Sequence, residues 1–243
     1  MKKIVLIPSY EPDDKLIELV NNLVKEKFEI VVINDGSNET FDNIFKSIES
    51  NVHLINYKNN KGKGYALKKG IKYIKDKYKE DYLIITMDSD GQHTIKDAKK
   101  LMEYTENNQN VLTIGKRLRD KKIPLRSKIG NVVSRFVFRT ITGIDIYDTQ
   151  SGLRAFSNKL TELLLNTEGN RYEYEMNVLL KCCNYKINIK EIEISTIYID
   201  NNSNSHFNPI KDSIRIYKEI FIYKKTLKKK KAENYVKWKS CNN

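Results

Sequence analysis

Leu83-Ile84-Ile85-Thr86-Met87-Asp88-Ser89-Asp90-Gly91-Gln92-His93 decides the reading of this chain. A short apolar run of strand type ends in two carboxylates one residue apart. Along an extended strand alternate residues share a face, so the spacing predicts that Asp88 and Asp90 point the same way. Two hard oxygen ligands at a strand's carboxyl end suit Mg2+ or Mn2+, which keep other positions for water and phosphate. Gly91 lets the chain turn closely past such a site. Alone, Asp-Ser-Asp-Gly is also an ordinary polar turn leaving a strand. Its surroundings decide.

Working outward, Ile4-Val5-Leu6-Ile7-Pro8 is a fully apolar strand of the kind buried inside a parallel sheet, broken by Ser9-Tyr10-Glu11-Pro12. Leu16, Leu19, Val20, Leu23 and Val24 recur at helical spacing, and a second buried strand, Glu29 to Asn34, ends in Asp35-Gly36-Ser37. An amphipathic helix over Phe41 to Ile48 leads to a strand at Val52 to Ile55. The glycine-bearing loop Asn59 to Gly64 then opens a helix over Tyr65 to Lys77. Beyond the opening stretch, Thr94 and Asp97 are spaced as a capping box for a helix to Tyr104, and Val111 to Gly115 is another strand. Strand and helix alternate, with polar residues after each strand. The pattern predicts an α/β, Rossmann-like, mostly parallel sheet with helices on both faces and ligands at the carboxyl ends.

The second half changes character. Lys116, Arg117, Arg119, Lys121, Lys122, Arg126 and Lys128 make a basic loop, and a helix over Ile129 to Ile141 mixes Val132, Val133, Phe136 and Val137 with Arg135 and Arg139. Such a helix is either solvated on its arginine side or placed at a lipid–water boundary. Asp148 to Arg154 reads as a polar turn, Tyr172 to Cys183 as a helix carrying Glu173 and Glu175, and Ile187 to Ile199 as mostly strand. After a polar loop, Asp200 to Asn208, a last amphipathic helix begins near Pro209. Its apolar positions Ile210, Ile214, Ile216, Tyr217, Ile220, Phe221 and Tyr223 exceed one narrow stripe, so its first half is expected to pack back on the domain.

The chain's 243 residues, 40% of them hydrophobic, are enough for one large domain with a real core, which excludes global disorder. The charge, 44 minus 31 or +13, concentrates at Lys224, Lys225 and Lys228 to Lys231. That basic tail suits an anionic membrane surface. A nucleic-acid partner is not expected, because no base-stacking aromatics are interleaved with the charge. Cys182 and Cys183 make no disulfide framework and share no metal-ligand spacing with His93 or His206, which argues against zinc and for a reducing compartment. No stretch reads as a signal peptide or as a spanning helix, so the expected location is cytoplasmic, peripheral on the inner membrane face.

Pro8-Ser9-Tyr10, Asp35 after a strand, and Asp88-Ser89-Asp90, in this order, resemble the family 2 glycosyltransferases of GT-A fold. Gly115-Lys116-Arg117 and Asp148 with Gln150-Ser151-Gly152-Leu153-Arg154 are similar to the branch holding dolichyl-phosphate mannose synthases and bacterial polyprenyl-phosphate glycosyltransferases. The chain departs from the pattern at Glu11-Pro12 and at Thr94-Ile95. The resemblance implies a GT-A domain over 1–223, with a nucleotide-sugar half (1–115), an acceptor half (116–208) and an amphipathic helix (209–223), followed by a basic tail (224–243). It implies Pro8 and Tyr10 against the nucleotide, Asp35 on its base and Lys63 near its phosphate. Asp88 is implied at the ribose or the metal's water shell, Asp90 on Mg2+ or Mn2+ with Gln92 as a further ligand, and Arg117, Arg126 and Ser127 at the acceptor phosphate. Asp90 and Arg117 are the expected catalytic pair. It also implies an inverting displacement, and a separate multi-spanning membrane protein as a partner.

The acceptor determines what else is needed. A lipid monophosphate is already anionic near neutral pH and asks for cations, which the Lys116 to Lys128 loop supplies. A saccharide hydroxyl, as in cell-surface polysaccharide synthesis, needs a positioned base, for which Glu173 and Glu175 are the late candidates. The expectation is therefore transfer of a hexose from a nucleotide-sugar donor to polyprenyl phosphate. A saccharide acceptor, or a non-catalytic basic protein with a vestigial nucleotide site, is the alternative.

Overall fold

The computed structural model describes residues 1–117, 125–195 and 211–225, with the backbone alone described over 125–131. Strands β1 (Lys2–Ser9), β2 (Glu29–Asp35), β3 (His53–Tyr57), β4 (Tyr82–Thr86), β5 (Val111–Arg117), β6 (Arg154–Ser157) and β7 (Asn188–Ile194) form one sheet in the order β3-β2-β1-β4-β6-β5-β7. β6 runs antiparallel to both β4 and β5, and the other pairings are parallel. Helices α1 (Lys15–Lys25), α2 (Asp42–Ile48), α3 (Lys63–Lys77), α4 (Ile95–Asn107), α5 (Leu125–Thr142), α6 (Thr161–Leu165), α7 (Glu173–Asn184) and α8 (211–225) complete the described chain.

The sheet is buried on both faces because Ile4 to Ile7 of β1, Ile30 to Ile33 of β2 and Leu83 to Ile85 of β4 are unbroken apolar runs. Ile4 and Leu6 of β1 join Val31, Ile33 and Ile84 in a core under α3, α6 and α7. Val5 and Ile7 join Ile30, Val32 and Ile85 in a second core with α1 and α4 residues Leu16, Leu23 and Leu101. The chain's order reverses between β1 and β4, which leaves a crevice at their carboxyl ends. Ser9 closes β1 and Asp88 follows β4 on either side of that crevice.

Three expectations are corrected here. β4 stops at Thr86, so Asp88 and Asp90 do not lie on an extended strand, and face alternation cannot set their directions. They belong to a turn that Gly91 closes at φ 75°. Arg154, read as the end of a polar turn, instead opens β6, a four-residue strand buried throughout. β6 escaped notice because its partners, β4 and β5, supply the burial that a longer apolar run would signal. The helix expected from Tyr65 starts at Lys63.

Ile216 and Ile220 of α8 enter the first core, while Ile214, Phe221 and Ile222 are exposed. α8 therefore packs on the domain with one face and turns a second apolar face outward. No helix among the described residues is long and apolar enough to cross a membrane. The strand expected to Ile199 is described to Ile194, and the loop 200–208, Pro209, Ile210, His206 and the tail beyond Lys225 lie outside the described residues.

Candidate active site

The crevice holds a cavity of about 500 Å3, and six of the seven expected donor-side residues line it. Pro8 and Tyr10 from the end of β1, Asp35 from the end of β2, Lys63 at the start of α3, and Asp88 and Asp90 after β4 all contribute. Gln92 and Arg117 are not among the lining residues. Arg126 and Ser127 lie where side chains are outside the description.

Asp35 is held by neutral donors. Its Oδ1 accepts from the Tyr57 hydroxyl (2.7 Å) and the Lys61 backbone N–H (2.8 Å), and its Oδ2 from the Gly62 N–H (2.8 Å) and the Asn60 side-chain amide (3.2 Å). The loop entering α3 is thereby wrapped around one carboxylate. Gly62 has φ 98°, and a Cβ there would lie 2.5 Å from Arg171 Cγ, so glycine is needed both for the turn and for the chain that packs on it.

Asp88 is held by charge. Lys63 Nζ lies 2.7 Å from its Oδ1 and 3.1 Å from Glu175 Oε1, and His93 Nε2 lies 3.5 Å from its Oδ2. Burial opposes ionisation of Asp88, but Lys63 and His93 outweigh it and hold the carboxyl well below the usual range. Burial likewise opposes the Lys63 charge, and Asp88 and Glu175 outweigh it, so the ammonium stays protonated. Asp90 has no such cation against it. Burial and then the neighbouring Asp88 raise its pKa, and its Oδ1 accepts the Gln92 backbone N–H at 3.0 Å.

The Gln150 to Arg154 segment holds this arrangement from behind. A Cβ on Gly152 would fall 2.3 Å from Asp88 Oδ2, so the carboxylate rests directly on bare backbone. Thr86 Oγ1 donates to the Gly152 carbonyl (2.7 Å), and the buried Arg154 guanidinium donates to the carbonyls of Ser151 (2.9 Å), Thr149 (3.2 Å) and Glu175 (2.7 Å). One arginine thus ties the turn at 149–152 to the first turn of α7. Arg117 is forked onto the buried Asp148 through Nε (2.7 Å) and Nη2 (3.1 Å), at the end of β5.

The two late carboxylates are both engaged. Glu175 is 7% exposed and faces Lys63, and Glu173 Oε1 accepts the backbone N–H groups of Asn170 (3.0 Å) and Arg171 (3.1 Å). Two residues apart on a helix, they point in different directions, and each fixes a neighbouring part of the site. Arg135, one of two arginines read as solvated or lipid-facing, is forked onto Asp145, whereas Arg139 is 65% exposed. Burial pushes the thiols of Cys182 and Cys183 up to about 12 and about 11, which leaves them inert near neutral pH.

Arg171 and Tyr172 also line the cavity, and no sequence motif pointed to them. They arrive from the loop before α7, which packs against the start of α3. Only their position after Gly169-Asn170, ahead of an amphipathic helix, hinted at a loop near the site.

Residues 4–163 match the Glycosyl transferase family 2 domain. The chain is 30% identical over 217 residues, 81% of its length and 86% of the relative's, to the UDP-N-acetylglucosamine–dolichyl-phosphate N-acetylglucosaminyltransferase of Methanococcus voltae. It is 26% identical over 242 residues, 89% of this chain and 72% of the relative, to a dolichyl-phosphate beta-glucosyltransferase of Dictyostelium discoideum. Glucosyl-3-phosphoglycerate synthase from Mycobacterium tuberculosis, solved with Mn2+, UDP and phosphoglyceric acid, superposes with a TM-score of 0.64 at 16% identity, over 91% of this chain and 76% of that one. That likeness establishes the GT-A fold. The chain belongs to glycosyl transferase family 2 and is a glycosyltransferase.

Proposed function

We propose that this family 2 glycosyltransferase moves a hexose or N-acetylhexosamine from a UDP-sugar to the phosphate of a polyprenyl lipid at a membrane surface. The observation that carries the proposal is the pairing of Asp88 with Lys63 beside Asp90, in the same cavity as Pro8, Tyr10 and Asp35. The relatives' names supply the donor base and the lipid acceptor.

The site suits a divalent cation. Asp90 is a carboxylate whose ionisation the protein opposes, next to one whose ionisation it enforces, and a cation would relieve that opposition. Among the described residues no three His, Cys, Asp or Glu side chains form a closed metal cage, so ligand and water oxygens would complete the shell. Asp90 and Asp88 would hold Mg2+ or Mn2+, with Gln92 as a further ligand. The ion would act as a Lewis acid that neutralises the charge on the departing diphosphate.

The chain's own groups do the rest. Pro8 and Tyr10 pack against base and ribose, and a base N–H reaching Asp35 takes the place of the Asn60 amide, the longest of its four bonds. Lys63, fixed and protonated, gives preorganised positive charge beside the phosphates. Arg117, oriented by Asp148, and Arg126 with Ser127 receive the acceptor phosphate. That phosphate attacks the anomeric carbon in line, with inversion, and catalysis is mainly positioning and charge neutralisation. The engagement of Glu173 and Glu175 in holding the site supports an acceptor that needs no base.

The exposed Val132, Val133 and Phe136 of α5, and the exposed face of α8 with Lys224 and Lys225, suit a peripheral seat on an anionic membrane, with a multi-spanning protein as a candidate recipient of the product. The test is a thermal-shift series with UDP-, GDP-, CDP- and dTDP-sugars, each with Mn2+ or EDTA. Ligand bound to the native state raises the Tm by mass action. A metal-dependent rise with UDP-sugars, absent in Asp90→Asn, is expected. A rise with another nucleotide alone, or one indifferent to EDTA, refutes the donor or the metal assignment.

A further inference from the structure

The charged groups that line the cavity are Asp35, Asp88 and Asp90 against Lys63 and Arg171. A nucleotide diphosphate entering this space brings two or more negative charges to three carboxylates. Lys63 is already bound to Asp88 and Glu175. Arg171 is different, because its guanidinium has no ion pair or hydrogen-bond partner among the described residues.

Its backbone, by contrast, is fixed. Glu173 Oε1 accepts the Arg171 N–H at 3.1 Å, and the neighbouring Asn170 carbonyl accepts the Tyr65 N–H at 2.9 Å. The Cγ of Arg171 lies 2.5 Å from where a Cβ on Gly62 would be, so the stem of the side chain packs on the glycine loop that Asp35 organises. A cation with an anchored base and an unengaged head, at the wall of a cavity rich in carboxylates, is arranged for an anion.

We propose that Arg171 binds the diphosphate of the nucleotide-sugar donor. The assignment rests on the donor reading above and adds a residue to it. Asp88 and Asp90 follow β4, Lys63 opens α3, and Arg171 reaches the same space from the loop before α7. The donor's phosphates therefore meet charge from both halves of the domain. Arg171 is a binding residue whose loss raises the donor KM more than it lowers kcat.

Calorimetric titration of the full chain, of R171Q and of R171K with UDP, UMP and uridine in Mn2+, and with farnesyl phosphate, tests this. R171Q should bind UDP roughly 10- to 100-fold more weakly, the range expected for a lost charge-assisted bond, while uridine affinity is unchanged. R171K should recover part of the loss. R171Q binding UDP as the native chain does overturns the assignment and leaves the transferase reading standing. An equal loss for uridine, or a loss confined to farnesyl phosphate, also overturns it. Failure of the native chain to bind UDP at all overturns the donor reading and this assignment together.

Discussion

Two carboxylate clusters end neighbouring regions of the sheet, and they are built in opposite ways. Asp35, the last residue of β2, accepts four hydrogen bonds from uncharged donors, three of them on the loop 60–62. Asp88, after β4, stands against Lys63 and His93 and is driven to ionise, while Asp90 beside it is discouraged from ionising. The first arrangement fixes a loop, and its energy is spent on shape. The second stores unbalanced charge in a cavity, which costs stability and leaves a place for a cation. A carboxylate at a strand's end is thus not one kind of site. What surrounds it decides whether it is architecture or chemistry.

The contrast can be broken most sharply at Asp90. Asp90→Ala is expected to lower turnover by about 1000-fold or more, as loss of a group that stabilises developing charge does. Asp90→Asn should meanwhile raise the Tm by ~2–4 °C, since about 1 kcal/mol of opposed charge is relieved. Calorimetry beside a transfer assay checks both signs. A lower Tm would show that Asp90 is as structural as Asp35.

Lys63→Met leaves Asp88 and Glu175 without their shared cation and is expected to cost ~3–5 kcal/mol in denaturant unfolding. Gly152→Ala forces a methyl against the Asp88 carboxylate, and about 1–3 kcal/mol of overpacking should accompany a clear loss of kcat. Asp35→Asn should cost ~1–3 kcal/mol and act mainly on donor KM, because the loop loosens while the charged cluster stays. If kcat fell in Asp35→Asn as steeply as in Asp90→Ala, the division between the two clusters would fail.

The smallest effect lies at the other end of β2. Bonds from Tyr78 and His53, aided by the Lys77 charge and working against partial burial, lower the Glu29 pKa from 4.5 to about 2. A depressed folded pKa gives stability that is whole above the ordinary value and lost as pH falls toward the folded one. Unfolding of Glu29→Gln should therefore track the native chain below about pH 2 and fall modestly behind it above pH 4.5. A gap that widens toward acid would reverse the sign of the assignment.

Much of this was legible in the sequence, for a physical reason. Strands buried on both faces favour unbroken apolar runs, so Ile4 to Ile7, Ile30 to Ile33 and Leu83 to Ile85 announce themselves, and the polar residues after them fall at one edge of the sheet. The convergence of Asp35, Lys63, Asp88 and Asp90 followed from that order alone. The path of the Asp88 turn did not, because face alternation stops where the ladder stops. β6 was hidden by its shortness, and a buried arginine at its first residue reads as surface until its three carbonyl partners are known. Glu175, Arg171 and Tyr172 reach the site through tertiary packing of α7 on α3. No local spacing encodes such a contact.

The central claim is that charge at Asp88, Asp90 and Lys63 serves sugar transfer to a lipid phosphate. Its most direct test is an assay with labelled UDP-glucose and UDP-N-acetylglucosamine, offering polyprenyl phosphate in anionic vesicles and a soluble saccharide side by side. Label is expected to enter the lipid, EDTA to stop the transfer, Mg2+ or Mn2+ to restore it, and Asp90→Ala to abolish it. Label entering the saccharide, or lipid transfer undiminished in EDTA, would contradict the claim.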